Sequence, residues 1–247
     1  MKKELILVTK IVCLSVFLLS ASTLYAQNLM IASGAGYKKP VTELLTSFQK
    51  DTGVKTDAAF GNIQMVVSQA KQTEEISCII GDKKFLAKFE PMMKFAGYHP
   101  VGKGILVLAY RKGISLNKPE DMVSDQVKSI FMPQEKNAIY GIAGTETLKS
   151  YNYTAKLAGK ITQVATIPQV VSYLLTGEAD AGLINLTEAL ANKDRLGGYI
   201  IIPEDKYSEI AIVAGVIKGF ENKPETKKFV DYLQTKTAKA IFEKYGL

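Results

Sequence analysis

The 247-residue chain has no tryptophan, a single histidine and only two cysteines. Each scarcity removes a class of chemistry. One of the cysteines, Cys13, falls within the first 26 residues, and the rest of the chain has too few histidines and cysteines to build a metal cluster. Cys78 has no partner for an internal disulfide, and its setting in ISCII reads as a buried strand rather than a nucleophile. His99 precedes Pro100 with no serine or cysteine beside it, so a catalytic triad has little to start from. Repeats and low-complexity linkers are absent. So are basic stripes interleaved with aromatics, which excludes nucleic acid as the expected partner.

A long apolar run occurs only at the start. Residues 1–26 open with Lys2 and Lys3, continue through ILVTKIVCLSVFLL and end in ASTLYA before Gln27. A charged beginning, an apolar middle and a small residue at the cut define a secretory signal, with cleavage expected after Ala26 and export to the periplasm. Lys10 interrupts the run, which is already shorter than the roughly 20 apolar residues that a membrane span needs. Losing Lys2, Lys3, Lys10 and Glu4 takes the net charge from +7 to +5. That mild, dispersed excess suits attraction of small anions.

Beyond the signal, β-rich apolar runs alternate with helical patterns. The runs are LMIAS (29–33), VKTDAAF (54–60), ISCII (76–80), GILVLAY (104–110), SIFM (129–132), AGLIN (181–185), YIII (199–202) and IAIVAGVI (210–217). Val41, Leu44, Leu45 and Phe48 fall on one helical face, and Gly53 supplies a stop. Such alternation predicts an α/β fold with parallel sheets covered by helices. GILVLAY and IAIVAGVI are the longest apolar strands and lie about 100 residues apart in the sequence. Each is expected to cross between two lobes, one built from residues 27–106 plus 210–247 and the other from 107–209.

Four segments share one chemistry, a strand end followed by a residue able to open a helix. They are Ser33-Gly34-Ala35-Gly36, Phe60-Gly61-Asn62-Ile63-Gln64, Thr166-Ile167-Pro168-Gln169 and Asn185-Leu186-Thr187-Glu188. Thr166 and Gln169 have capping-box spacing, with proline in the first turn. Helix-opening amides lack intrahelical partners and carry partial positive charge, so several around one point would hold an oxyanion without a lysine. Taken singly, Asn62, Thr166 and Asn185 are equally well explained as caps of their own helices. The nucleotide-binding reading of Gly34-Ala35-Gly36 fails because Lys39 stands where a third glycine is needed. Lys38 and Lys39 read either as ordinary solvated charges or as attracting anions to the cleft.

With these residues in view, the chain resembles the periplasmic molybdate-binding proteins of ABC importers, a branch of the bacterial solute-binding family. The resemblance is carried by MIASGAGYKKPVTELLTSFQKDTGV, QAKQTEEISCIIGDKKF, TGEADAGLINLTEAL and KKFVDYLQTKTAKAIFEKYGL. It implies a two-lobed, type II-like periplasmic binding fold with two crossing strands as hinge, and monomeric action beside a membrane permease. It also implies a tetrahedral dianion, molybdate or tungstate, held by hydroxyls and backbone amides, with no cofactor and no catalysis. Carried over by position, the ligand-binding places fall on Gly36, Ile63, Tyr140, Ile167 and Asn185, with Ala138 and Ile139 as rivals to Tyr140. The family usually has serine at the first two places and often tyrosine at the last, so Gly36 and Ile63 can offer only amides. Side-chain donors must then come from Ser33, Asn62, Gln64, Tyr140 or Asn185. The competing readings are another oxyanion or a small organic anion, an exported α/β hydrolase depending on His99, and an extracellular adhesion module.

Overall fold

The computed structural model describes residues 28–247, so the expected signal at 1–26 lies outside the described residues. The chain opens with β1 (Asn28–Gly34), a 3-10 turn (Ala35–Tyr37) and α1 (Lys38–Thr52). There follow β2 (Lys55–Gly61), α2 (Ile63–Thr73), β3 (Ile76–Asp82), α3 (Lys83–Ala87) and β4 (Phe95–Gly104). Then come β5 (Leu106–Tyr110), β6 (Ile130–Pro133), α4 (Ile139–Ser150), α5 (Thr154–Leu157) and β7 (Ile161–Val164). The rest comprises α6 (Ile167–Thr176), β8 (Ala181–Asn185), α7 (Leu186–Ala191), β9 (Gly198–Ile201), β10 (Ile210–Ile217), α8 (Pro224–Tyr232) and α9 (Lys236–Lys244).

The strands form two five-stranded sheets, ordered β2-β1-β3-β10-β4 and β7-β6-β8-β5-β9. Each sheet centres one lobe. The chain passes from the first sheet to the second through Ile105, between β4 and β5, and returns through residues 202–209. The two passages are tied together: Ile202 donates its amide to the Leu106 carbonyl at 3.0 Å, and Leu106 donates to the Tyr207 hydroxyl at 3.1 Å.

The sheets are mixed rather than wholly parallel. In the first, β1 runs parallel to β2 and β3, while β10 runs antiparallel to β3 and β4. In the second, β6 is parallel to β7 and β8, and β5 is antiparallel to β8 and β9. Geometry accounts for the difference. β5 and β10 each enter a lobe from the other one, at the cleft end, so they must run away from it. The βαβ strands run toward it. The carboxyl ends of β1, β2 and β3 therefore face those of β6 and β7, which is where ligands settle in open α/β sheets.

Local sequence fixes the elements that carry the cleft. In α1 the face formed by Val41, Leu44, Leu45 and Phe48 is buried, and Gly53 ends the helix in the left-handed region at φ 72°. Phe48 packs edge-on against Phe229 and Tyr232, with ring centroids 5.6 and 5.3 Å away. Burial of one such ring contributes about 1.5–3 kcal/mol. The Tyr232 hydroxyl lies 2.7 Å from an Asp51 carboxylate oxygen, so α8 holds α1 and the preceding turn in place. In the second lobe, Gly141 lets the first turn of α4 lie against backbone. A Cβ there would stand 2.5 Å from the Pro133 carbonyl oxygen and 2.6 Å from the Gln134 carbonyl carbon. Gly141→Ala should therefore destabilise the protein by about 1–3 kcal/mol in urea unfolding. An unchanged midpoint would contradict this account of the close approach.

Candidate functional site

A cavity of about 40 Å³ lies between the lobes. It is several times the roughly 10–15 Å³ needed to hold one water. The first lobe contributes Gly34–Tyr37, Gly61–Ile63, Gly81, Asp82 and Phe85, and the second contributes Asn137–Tyr140 and Ala165–Ile167. Of the residues expected from sequence, Gly36, Asn62, Ile63, Tyr140 and Ile167 meet here, together with the rivals Ala138 and Ile139. Ser33 and Asn185 do not line the cavity. Ser33 is fully buried in β1, and its hydroxyl donates to the Gly34 carbonyl at 3.3 Å.

The donors of the cavity follow from which first-turn amides are already occupied. Asn62 accepts from the Met65 amide at 2.9 Å, leaving Ile63 at the α2 start without an intrahelical partner. At α6, Thr166 accepts from Gln169, Pro168 has no N–H, and Ile167 remains. At α4, the Ala138 amide binds Gln134 and the Gly141 amide binds Ala138, so Ile139 and Tyr140 remain. The 3-10 turn adds Ala35 and Gly36. No lysine, arginine or histidine lines the cavity.

Two phenols meet across the cleft. The Tyr37 hydroxyl donates to that of Tyr140 at 2.9 Å, and both side chains are buried. Burial first, and then their mutual contact, pushes the Tyr37 phenol well above its ordinary value; burial also raises Tyr140. Both stay neutral, and the Tyr140 hydroxyl keeps one proton that is not used between them.

Asn185 has a different use from the one expected. Its amide Nδ2 donates to the Gly36 carbonyl at 3.0 Å, while Oδ1 accepts from the Glu188 amide and caps α7. The residue binds the lobes to each other. This also explains glycine at position 36, since a Cβ there would sit 3.1 Å from both Asn185 Nδ2 and Ile167 Cδ1. A serine there would have to push the Asn185 and Ile167 side chains back by a few tenths of an ångström. Lys39 adds another tie, donating to the Ala191 carbonyl at 3.0 Å. Exposed Lys38 lies over the Phe60 ring, 5.8 Å from its centroid.

The start of α7 faces no ligand space: Leu186 donates to Ile105, and Glu188 is capped. The α4 start takes its place. Its cap is Ala138, a residue without a side-chain acceptor, so nothing in the sequence itself announced a helix there. Asp82 and Tyr37 were also missed. Asp82 reads as an ordinary residue in GDKKF, and Tyr37 finds its partner 103 residues away. His99 lies on β4 in a separate groove with Phe95, Lys218, Thr226 and Asp231. Cys78 is buried in β3, where burial pushes its thiol far above its ordinary value.

Two sheet-centred lobes closing on a cavity lined by helix-opening amides define a bilobal ligand-capture protein. The sequence model for the bacterial extracellular solute-binding proteins matches residues 29–247, and the chain belongs to that family. It is 27% identical over 228 residues to a Bacillus subtilis (strain 168) protein with the provisional name ABC transporter substrate-binding lipoprotein YvgL, covering 89% of this chain and 85% of that one. It is 24% identical over 236 residues to the molybdate-binding protein ModA of Azotobacter vinelandii, covering 92% of each. The solved periplasmic molybdate-binding protein of Azotobacter vinelandii has the same fold, with a TM-score of 0.79, 21% identity, and coverage of 88% of this chain and 97% of that one.

Removing the hydroxyl pair and removing the amide clamp should have unequal effects. Tyr37→Phe loses one hydrogen bond and should cost about 0.5–1.5 kcal/mol. Asn185→Ala leaves the buried Gly36 carbonyl and the α7 start unpaired and should cost about 2–4 kcal/mol. Denaturant unfolding checks the order, and equal losses would contradict the clamp.

Proposed function

We propose that the protein captures a tetrahedral oxyanion, molybdate or tungstate first, between its lobes and delivers it to an ABC permease. The observation that carries this reading is the convergence of the Gly36, Ile63, Tyr140 and Ile167 segments on one small cavity with no cation in its lining. A dianion there is stabilised by backbone dipoles and a phenol, so no lysine has to be stripped from it on release. The bodies that close are residues 28–104 plus 210–247 and residues 106–201, hinged at Ile105 and residues 202–209. Asn62 acts from within the lining by capping α2, and Asn185 from behind it by pinning Gly36. Ser33 supports the turn from within β1. The protein is exported by its N-terminal segment to the periplasm and works as a monomer without a cofactor or a catalytic step.

Two features favour an inorganic oxyanion over a larger organic anion. The cavity measures about 40 Å³, and among the described residues no basic side chain lines it to pair with a carboxylate. The naming of the Azotobacter vinelandii relative supports molybdate in particular.

Thermal unfolding with molybdate, tungstate, sulfate, phosphate and chromate in turn tests this. A ligand present at about 100 times its dissociation constant should add about 2.7 kcal/mol. The largest shifts are expected with molybdate and tungstate, and no shift with any of the five would end the oxyanion reading. Within it, Asn62→Ala and Asn185→Ala should each weaken binding more than Lys38→Ala in equilibrium titration. The reverse order would mean that the anion sits elsewhere.

A further inference from the structure

Asp82 brings a negative charge to the wall of a cavity built for anions. Asp82 is 1% exposed at the end of β3 and is one of the residues that line the interlobe cavity. Oδ1 accepts from the Phe85 amide at 2.7 Å and Oδ2 from the Ala211 amide at 3.0 Å. Its two oxygens have four acceptor sites in all; the Phe85, Ala211 and Lys84 amides use three of them, so one remains for an O–H. Among the described residues, no ion pair involves Asp82.

The surroundings offer little compensation. On α3 the nearest positive influence is Lys84, while neighbouring Lys83 lies over the Tyr98 ring. From the turn before α1 and from α4 come Tyr37 and Tyr140, neutral phenols that feel the Asp82 charge. β10 presents a backbone amide, and Lys103, opposite Ala211 on β4, is paired with Glu204. Burial already pushes the carboxyl above its ordinary value, against the pull of Phe85, Ala211 and Lys84.

We propose that Asp82 makes capture of a dianion take up one proton from solvent, held between its carboxyl and an oxygen of the bound ligand. The inference rests on the oxyanion reading above. Placing a dianion in a dry cavity beside an ionised carboxylate, with no cation in the lining, strengthens repulsion as the dielectric falls. A proton between the two removes most of it and adds a hydrogen bond to a charged acceptor. The direction is fixed by linkage. Bound anion raises the carboxyl's affinity for a proton, so binding is strongest in acid and weakens as pH rises, by up to about tenfold per pH unit, between the carboxyl's value in the free protein and its higher value in the complex. An oxyanion already protonated on one oxygen brings its own proton and needs none from solvent. The site thus treats hydrogen phosphate and molybdate differently through one residue.

Calorimetric titration of the whole secreted chain with molybdate, and separately with sulfate, from about pH 5.5 to about pH 8.5 tests the coupling. Running each pH in buffers of different protonation heat gives the proton count directly. Wild-type protein should take up as much as one proton per dianion and lose affinity as pH rises. Asp82→Asn should bind with a flat profile and no proton uptake. Flat affinity with no uptake in the wild type would overturn the proposal even if the variant failed to fold, and so would a wild-type slope retained in Asp82→Asn. Failure of every oxyanion to bind at every pH would instead remove the functional reading on which it stands.

Discussion

Unpartnered backbone amides at the starts of helices, held face to face from two lobes, are the constraint on which the rest of the structure depends. A helix leaves its first amides without intrahelical acceptors, and the caps at Asn62 and Thr166 satisfy one amide each. What remains points into a shared space. Among the described residues no lysine or arginine lines that space, so its field comes from backbone dipoles and is short-ranged.

The mixed sheets create this arrangement. Strands β1, β2, β3, β6 and β7 run toward the cleft, while β5 and β10 run away from it because each arrives from the other lobe. The closed form is then held by protein contacts as well as by any ligand. Asn185 grips Gly36, the Tyr37 and Tyr140 hydroxyls meet, and Lys39 reaches Ala191. These bonds bring the lobes close at Gly36, where a Cβ would crowd the Asn185 and Ile167 side chains and glycine leaves only its amide to offer.

Much of the fold was legible in the sequence, and the failures have physical causes. The eight apolar runs all contain strands; the inner ones stand out because buried strands have to be continuously apolar, while β2 and β9 are edge strands found by their apolar residues alone. The two strands missed, β4 and β7, are edge strands. An edge tolerates glycine, proline and polar residues, as in FAGYHPVGKG and ITQV, so neither has the pattern of a buried strand. Parallel pairing was expected throughout because alternation of strands and helices does not reveal a strand that has returned from elsewhere. At the site, helix starts with side-chain caps could be read from Asn62 and Thr166. The α4 start, capped by Ala138, could be reached only through family likeness. The bond from Asn185 to Gly36 joins residues 149 positions apart, which no local pattern encodes.

The most direct test is a crystal structure of the protein with tungstate, whose heavy atom can be located without reference to the protein. The account predicts a single strong peak in the interlobe cavity, with its oxygens about 2.7–3.2 Å from the amides of the Gly36, Ile63, Tyr140 and Ile167 segments. A peak in the groove beside His99 and α8, or a cavity left empty while the anion binds in solution, would contradict it.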